Sequence, residues 1–178
     1  SMLLWYGRIE TFDGVHDLAL RYGIKPQMVF VDAGYDTDQV YSACARMNWT
    51  ALHGSGQKSF AYKKQNGDVI HRPFTRFQDA TASGGGKARY SHWASDRIKD
   101  ILHAHRTGIA GSWDIPDDVS PDFLKQIDSE VKKEVTNSKT KQVEYRWTRT
   151  RNNNHAWDVE AMQIVAALML KIIPGFDV

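Results

Sequence analysis

The stretch "QMVFVDAGYDTDQVYSACARMNWTALHG" (residues 27–54) decides the fold. Met28 to Val31 is a continuous apolar run, which reads as a strand buried on both faces. A turn at Gly34 follows, and Asp36 or Thr37 can cap a helix running to about Met47. "TALHG" (50–54) then returns as a second strand. Strand, helix and strand in that order predict parallel pairing and an α/β protein. Asp32 falls at the carboxyl end of the first strand, where ligands gather in open α/β sheets. The same acid, taken alone, also reads as a hydrogen-bond partner of the turn at Ala33-Gly34.

Outward from this unit, "LLWYGRIETF" (3–12) alternates as a strand would, and "DGVHDLALRYG" (13–23) reads as a short amphipathic helix ending at Gly23. "SFAYKKQNGDVIHRPFTRF" (59–77) carries Asn66-Gly67 in the form of a two-residue hairpin turn. "TASGGGKARYS" (81–91) is glycine-rich but fails the phosphate-loop pattern: Thr81 stands where the first glycine belongs and Ala88 follows Lys87. It reads as a flexible loop. Residues 91–106 predict an amphipathic helix with Trp93, Ile98, Ile101 and Leu102 inward, and "AGSWDIPDD" (110–118) a short strand and turn. Ser120-Pro121 can start a helix over roughly 121–135, on whose exposed face Glu130 and Glu134 would be solvated. "TNSKTKQ" (136–142) reads as a loop, "VEYRWTR" (143–149) as a strand, and the last long helix begins near Ala156. No internal repeat or linker interrupts the chain, so one domain over 1–178 is expected.

That last helix raises its own question. From Asp158, steps of four and three reach Met162, Val165, Met169 and Ile172, so an acid heads the apolar stripe while Glu160 is rotated about 200° away. A carboxylate there is costly unless it caps, pairs or binds a cation. It can cap the helix entrance, although Asn152 to Asn154 already offer capping groups. Two acids at element ends, Asp32 and Asp158, could also converge on Mg²⁺, a hard ion that prefers carboxylate oxygens and serves phosphodiester cleavage.

Composition bounds the alternatives. The 178 residues are 42% hydrophobic and 25% charged, enough for a packed core, and no apolar run reaches membrane-spanning length. A single cysteine, Cys44, excludes an internal disulfide and reads as core filler in a reducing compartment. The net charge of +2 hides two basic segments: residues 54–90 and 132–151 are each +5, leaving −8 elsewhere. Such segments fit a polyanion surface, and equally a pair of solvated faces.

"VFVDAGYDTDQVY", "WTALHG", "IAGSWDIPDD" and "NNNHAWDVEAM" follow one another in an order that resembles the nuclease domain of the large terminase subunit of tailed bacteriophages, in its lambda-like branch. The resemblance covers roughly residues 4–172. It implies an RNase H-like fold, a mixed sheet flanked by helices, and a metal-dependent endonuclease that cuts concatemeric double-stranded viral DNA in the bacterial host cytoplasm. It maps two metal-binding, catalytic acids onto Asp32 and Asp158, with Mg²⁺ or Mn²⁺ in a two-metal site of the intact enzyme, and gives Asn154 and His155 supporting roles. It implies a terminase small subunit and a portal as partners of the full-length protein, with no membrane. Lys58, Lys63, Lys64, Arg72, Arg76, Lys87, Arg149 and Arg151 would hold the DNA backbone.

One departure matters. The family's first acid lies on a first strand, in a "G-V-D-V"-like segment, and this chain has none. It opens at "SMLLWYGRIETF", which resembles the family's third strand, with Ser1-Met2 as an added start; Glu10 is the upstream acid and a poor substitute. The resemblance therefore implies a piece without its first strands, one metal ligand and the ATPase motor, cutting weakly or not at all. The competing reading is a noncatalytic DNA-binding or portal-docking module from a degenerate prophage terminase. A different RNase H-like enzyme, such as a transposase or junction resolvase, is disfavoured by "SWDIPDD" and "NHAWD".

Overall fold

The computed structural model of the chain describes residues 3, 5–136, 138 and 141–173. Ser1-Met2 and parts of the 136–142 loop lie outside the described residues. The chain forms two compact units: Tyr6–Arg97 with the segment from Val165 onward, and the start of the chain with Ile98–Ile164. Each is described by itself.

The first unit, the sheet unit, begins with α1 (Phe12–Arg21), whose Thr11 side chain caps by accepting from Gly14 N. β1 (Phe30–Asp32), α2 (Thr37–Met47) and β2 (Thr50–Ser55) follow. The apolar run around Val31 forms an edge strand and is half-buried rather than enclosed, because among the described residues only β2 pairs with it. Met28 belongs instead to a short 3₁₀ turn over Pro26–Met28. Asp36 caps α2 by accepting from Gln39 N, and Asn48 closes it in the left-handed conformation with φ 56°. That closure swings Trp49 into the core beside Val40, Cys44, Ala51 and Ala88.

β3 (Phe60–Lys63) and β4 (Val69–Arg72) form a separate antiparallel hairpin, and β5 (Gln78–Thr81) and β6 (Lys87–Ala94) join the main sheet. The main sheet runs β1-β2-β6-β5 and is mixed. β1 pairs parallel with β2, β2 parallel with β6, and β5 antiparallel with β6. Register places Asp32 opposite Leu52 and His53 opposite His92. The α/β expectation and the β1–α2–β2 unit are borne out.

Several local expectations are corrected. Among the described residues no strand precedes α1. The Asn66-Gly67 turn spans three residues, not two: Lys64 N donates to Asp68 O, and Gly67 takes φ 94°. The glycine-rich segment is the β5–β6 turn, and residues 91–94 extend β6 instead of starting a helix.

The second unit, the ribbon unit, holds most of α3 (Ser95–Arg106), then α4 (Pro121–Ile127), β7 (Glu130–Thr136), β8 (Val143–Arg149) and α5 (His155–Met169) to Ile164. Residues 110–118 form no strand; Asp114 O accepts from Leu3 N. The helix expected over 121–135 stops at Ile127 because the chain turns at Asp128-Ser129 and pairs onward with β8. Ser120 caps it as expected, accepting from Phe123 N. Phe123 and Ile127 pack with Leu3, Trp113 and Ile115. α5 is buried on most of its circumference: Trp157, Ala161, Met162, Ile164, Val165 and Leu168 are inside, and so is Glu160 at 3% exposure. The amphipathic picture that left Glu160 outside is thus corrected, while Ile172 of the supposed apolar stripe is exposed.

Candidate active site

Asp32 closes β1 on the carboxyl edge of the parallel strands, exposed to solvent. Its Oδ1 accepts from Gly34 N at 3.0 Å, the turn contact that follows from an acid two residues before glycine. Close by, β2 and β6 present His53 and His92, ring against ring at 5.2 Å. Tyr41 of α2 reaches His53 Nε2 with its hydroxyl at 2.9 Å, and Tyr90 packs edge-on against both imidazoles. Burial pushes the His53 pKa down, the neighbouring His92 adds to this, and the Asp32 charge opposes it. The edge therefore combines an acid whose second oxygen is open with a neutral imidazole held by a phenol.

In the ribbon unit a second cluster forms around Asp158. Lys99 of α3 is buried, and its ammonium donates to both oxygens of Glu130 at 2.9 Å. The same ammonium ion-pairs with Asp158 Oδ1 at 2.9 Å. Asn154, itself 2% exposed, donates one amide proton to Glu130 Oε1 at 2.9 Å and the other to Asp158 Oδ2 at 2.7 Å. Trp157 Nε1 donates to Glu130 Oε2 at 3.2 Å, and Arg149 stands 3.9 Å from Asp158 Oδ2. The carboxylate of Asp158 is thus paired rather than used as a helix cap. Neither does Asn154 spend its side chain on capping: Gln126 of α4 accepts from Ala156 N at 3.0 Å instead. His155 is exposed at the first position of α5.

Glu130 was expected to be solvated, and it is 8% exposed. Its setting went unseen because residues 121–135 read as one helix. Lys99 carried a signal: it lies within the buried arc Ile98, Lys99, Ile101 and Leu102 of α3, where an unpaired ammonium would be costly. His53 and His92 are brought together by strand register, which spacing along the chain does not reveal.

The basic residues are divided between the units. In the sheet unit, Arg72 and Arg76 both stack on Tyr62, with guanidinium carbons 4.1 and 4.0 Å from its ring centre. Arg76 also donates to Lys63 O at 3.2 Å. Lys58, Lys63, Lys64 and Lys87 are exposed, Lys87 lying 4.0 Å from Asp79. Arg149 and Arg151 are exposed on the ribbon unit.

Asp32 suits a hard divalent ion, since one carboxylate oxygen is open. Asp158 does not as arranged, because both oxygens already meet cationic or amide donors. Among the described residues no group of three His, Cys, Asp or Glu side chains is placed to hold a metal ion. Asp32 and Asp158 belong to different units.

The family model described as "Terminase large subunit gpA, endonuclease domain" matches residues 15–174. No curated protein and no solved structure matches the chain.

Proposed function

Because this chain belongs to the terminase large subunit gpA endonuclease domain family, we propose that it hydrolyses phosphodiester bonds of double-stranded concatemeric phage DNA during packaging. The family carries the coarser statement, a nuclease role in phage DNA packaging. The observation that best supports the finer one is Asp32 on the carboxyl edge of parallel strands, with an open oxygen and His53 beside it. We place the mixed sheet in the RNase H-like class, a reading supported by parallel β1 and β2 and by an acid on the final helix.

Asp32 and Asp158 would each offer a carboxylate to Mg²⁺ or Mn²⁺, Asp158 only once its present partners give way. When bound, such an ion supplies an activated water and stabilises the leaving oxygen. Asn154 orients the Asp158 carboxylate, and His155 is exposed next to it for substrate. Lys58, Lys63, Lys64, Arg72, Arg76, Lys87, Arg149 and Arg151 would contact phosphates, giving salt-dependent binding that tolerates any sequence. The terminase small subunit and portal would be partners of the full-length protein, in the host cytoplasm; among the described residues no helix is long and apolar enough to cross a membrane.

The test is nicking of supercoiled plasmid with Mn²⁺ or Mg²⁺, by this chain and by a longer one carrying upstream strands. Nicking by the longer chain that is lost in Asp32→Ala supports the reading. No nicking from either chain, with DNA retained in chelator, establishes instead the noncatalytic DNA-binding or portal-docking module. The engagement of Asp158 by Lys99 is the observation that favours that second reading.

A further inference from the structure

The two acids of the ribbon unit are closed on themselves. Five hydrogen bonds and one ion pair, from Lys99, Asn154 and Trp157, reach the four oxygens of Glu130 and Asp158. Both amide protons of Asn154 and the indole proton of Trp157 are committed there. Charge is closed as well: Lys99 and Arg149 face Glu130 and Asp158, leaving no excess negative charge to draw in a dication. Yet the donors, two carboxylates and an amide, are the hard oxygen set that Mg²⁺, Mn²⁺ and lanthanides prefer.

We infer that the Lys99 ammonium occupies the cation position between Glu130 and Asp158, so that a divalent ion reaches Asp158 only when Lys99 withdraws. The lysine acts as a built-in competitor of metal at this acid. It is fixed for that task by burial of its stem in α3, with its side chain 10% exposed, and by Glu130, whose own 4% exposure leaves it no alternative cation from solvent. Glu130 is in this sense a positioning residue: it holds the ammonium against Asp158. The inference deepens the metal part of the proposed nuclease site, but it rests on the ion-pair geometry and holds whether or not the chain cuts DNA.

The test reads cation binding and not cleavage, so its failure and that of the nuclease reading are separable. Terbium is titrated into the full 178-residue chain, with emission sensitised through Trp157, whose indole nitrogen lies 3.2 Å from Glu130. The wild type should give no emission that Asp158→Asn removes. Lys99→Met, which keeps the stem and deletes the charge, should gain such emission with at least tenfold tighter binding, and adding Asp158→Asn should abolish it. Lys99→Gln is a second route should the Met variant not fold. A third measurement needs no variant at Lys99: in Asp32→Asn, which removes the other proposed Mn²⁺ ligand, sub-stoichiometric Mn²⁺ should leave the Asn154 side-chain amide signals unbroadened. Broadening of those signals, Asp158-dependent emission from the wild type, or a folded Lys99 variant binding no tighter than the wild type would each overturn the inference.

Discussion

Tyr41 and His53 are joined through the phenol oxygen and Nε2 across 2.9 Å, tying α2 to the carboxyl end of β2. Burial and His92 both oppose a charge on His53, so the bond joins the phenol to a neutral imidazole whose tautomer sets which of the two donates. It fixes the ring beside the acid that ends β1.

The first expectation concerns that ring. In chelator, His53 should titrate below the ordinary imidazole value of 6.5, and Asp32→Asn should lower it further by removing the one charge that favours protonation. Ring-proton NMR titration checks both. The unfolded chain takes up a proton near 6.5 while the folded one resists, so the stability His53 contributes is present above that pH and is lost as pH falls through it. A shift upward in Asp32→Asn would place the acid elsewhere.

Glu160 behaves in the opposite sense. Burial raises its pKa above 4.5, against the Trp113 hydrogen bond at 2.9 Å and the Arg106 charge, which lower it. A carboxyl raised on folding is unpenalised below the unfolded value of 4.5 and loses stability as pH rises through its folded value. Glu160→Gln keeps an oxygen for Trp113 and does not titrate. Its melting temperature relative to the wild type should therefore climb between pH 4 and pH 8. An unchanged difference across that range refutes the burial argument.

Glu130→Ala should cost about 3–5 kcal/mol in urea denaturation, the usual range for removing one partner of a buried ion pair. The loss leaves Trp157 Nε1 and one Asn154 proton without acceptors, and Lys99 with Asp158 alone. Glu130→Gln, which retains an acceptor, should cost less. Equal costs for the two would make the retained acceptor irrelevant and assign the whole loss to the charge.

On the hairpin, Lys63→Ala and Lys64→Ala should each weaken DNA binding alike on unrelated sequences. If each contacts one phosphate, the slope of log affinity against log salt should fall by about 0.9 per substitution. Fluorescence anisotropy at several salt concentrations measures this. Tyr62→Ala tests a different role: it removes the ring on which Arg72 and Arg76 rest, so both guanidinium groups lose a stack worth about 0.5–1 kcal/mol each at an exposed site. A slope unchanged in both lysine variants would place the DNA surface elsewhere.

The sequence was most legible where periodicity, caps and turns act over short distances. α2 begins at an acid that caps it and ends at Asn48, and β1, α2 and β2 follow from 28 residues of pattern. Legibility failed where long-range pairing overrode local preference. "SPDFLKQIDSEVKKEV" satisfies a helix, but β8 is available to Glu130–Thr136 and seven residues pair there. The site follows the same division. Asp32 and Asp158 stand out as acids at element ends, whereas Glu130 becomes visible only after that strand is recognised. The imidazole pair, 39 residues apart in sequence, exists only through the register of β2 on β6.

The closed polar network of the ribbon unit also dictates when that unit can form during synthesis. Its members come from positions 99, 130, 149 and 154–158, so the last are translated more than fifty residues after the first. Until α5 leaves the ribosome, Lys99 and Glu130 lack the indole, the amide and the second acid that complete their burial. A nascent chain ending before Asn154 would carry this ion pair half-solvated. The polar network of the ribbon unit consequently closes only after α5 has been synthesised, well after its first member.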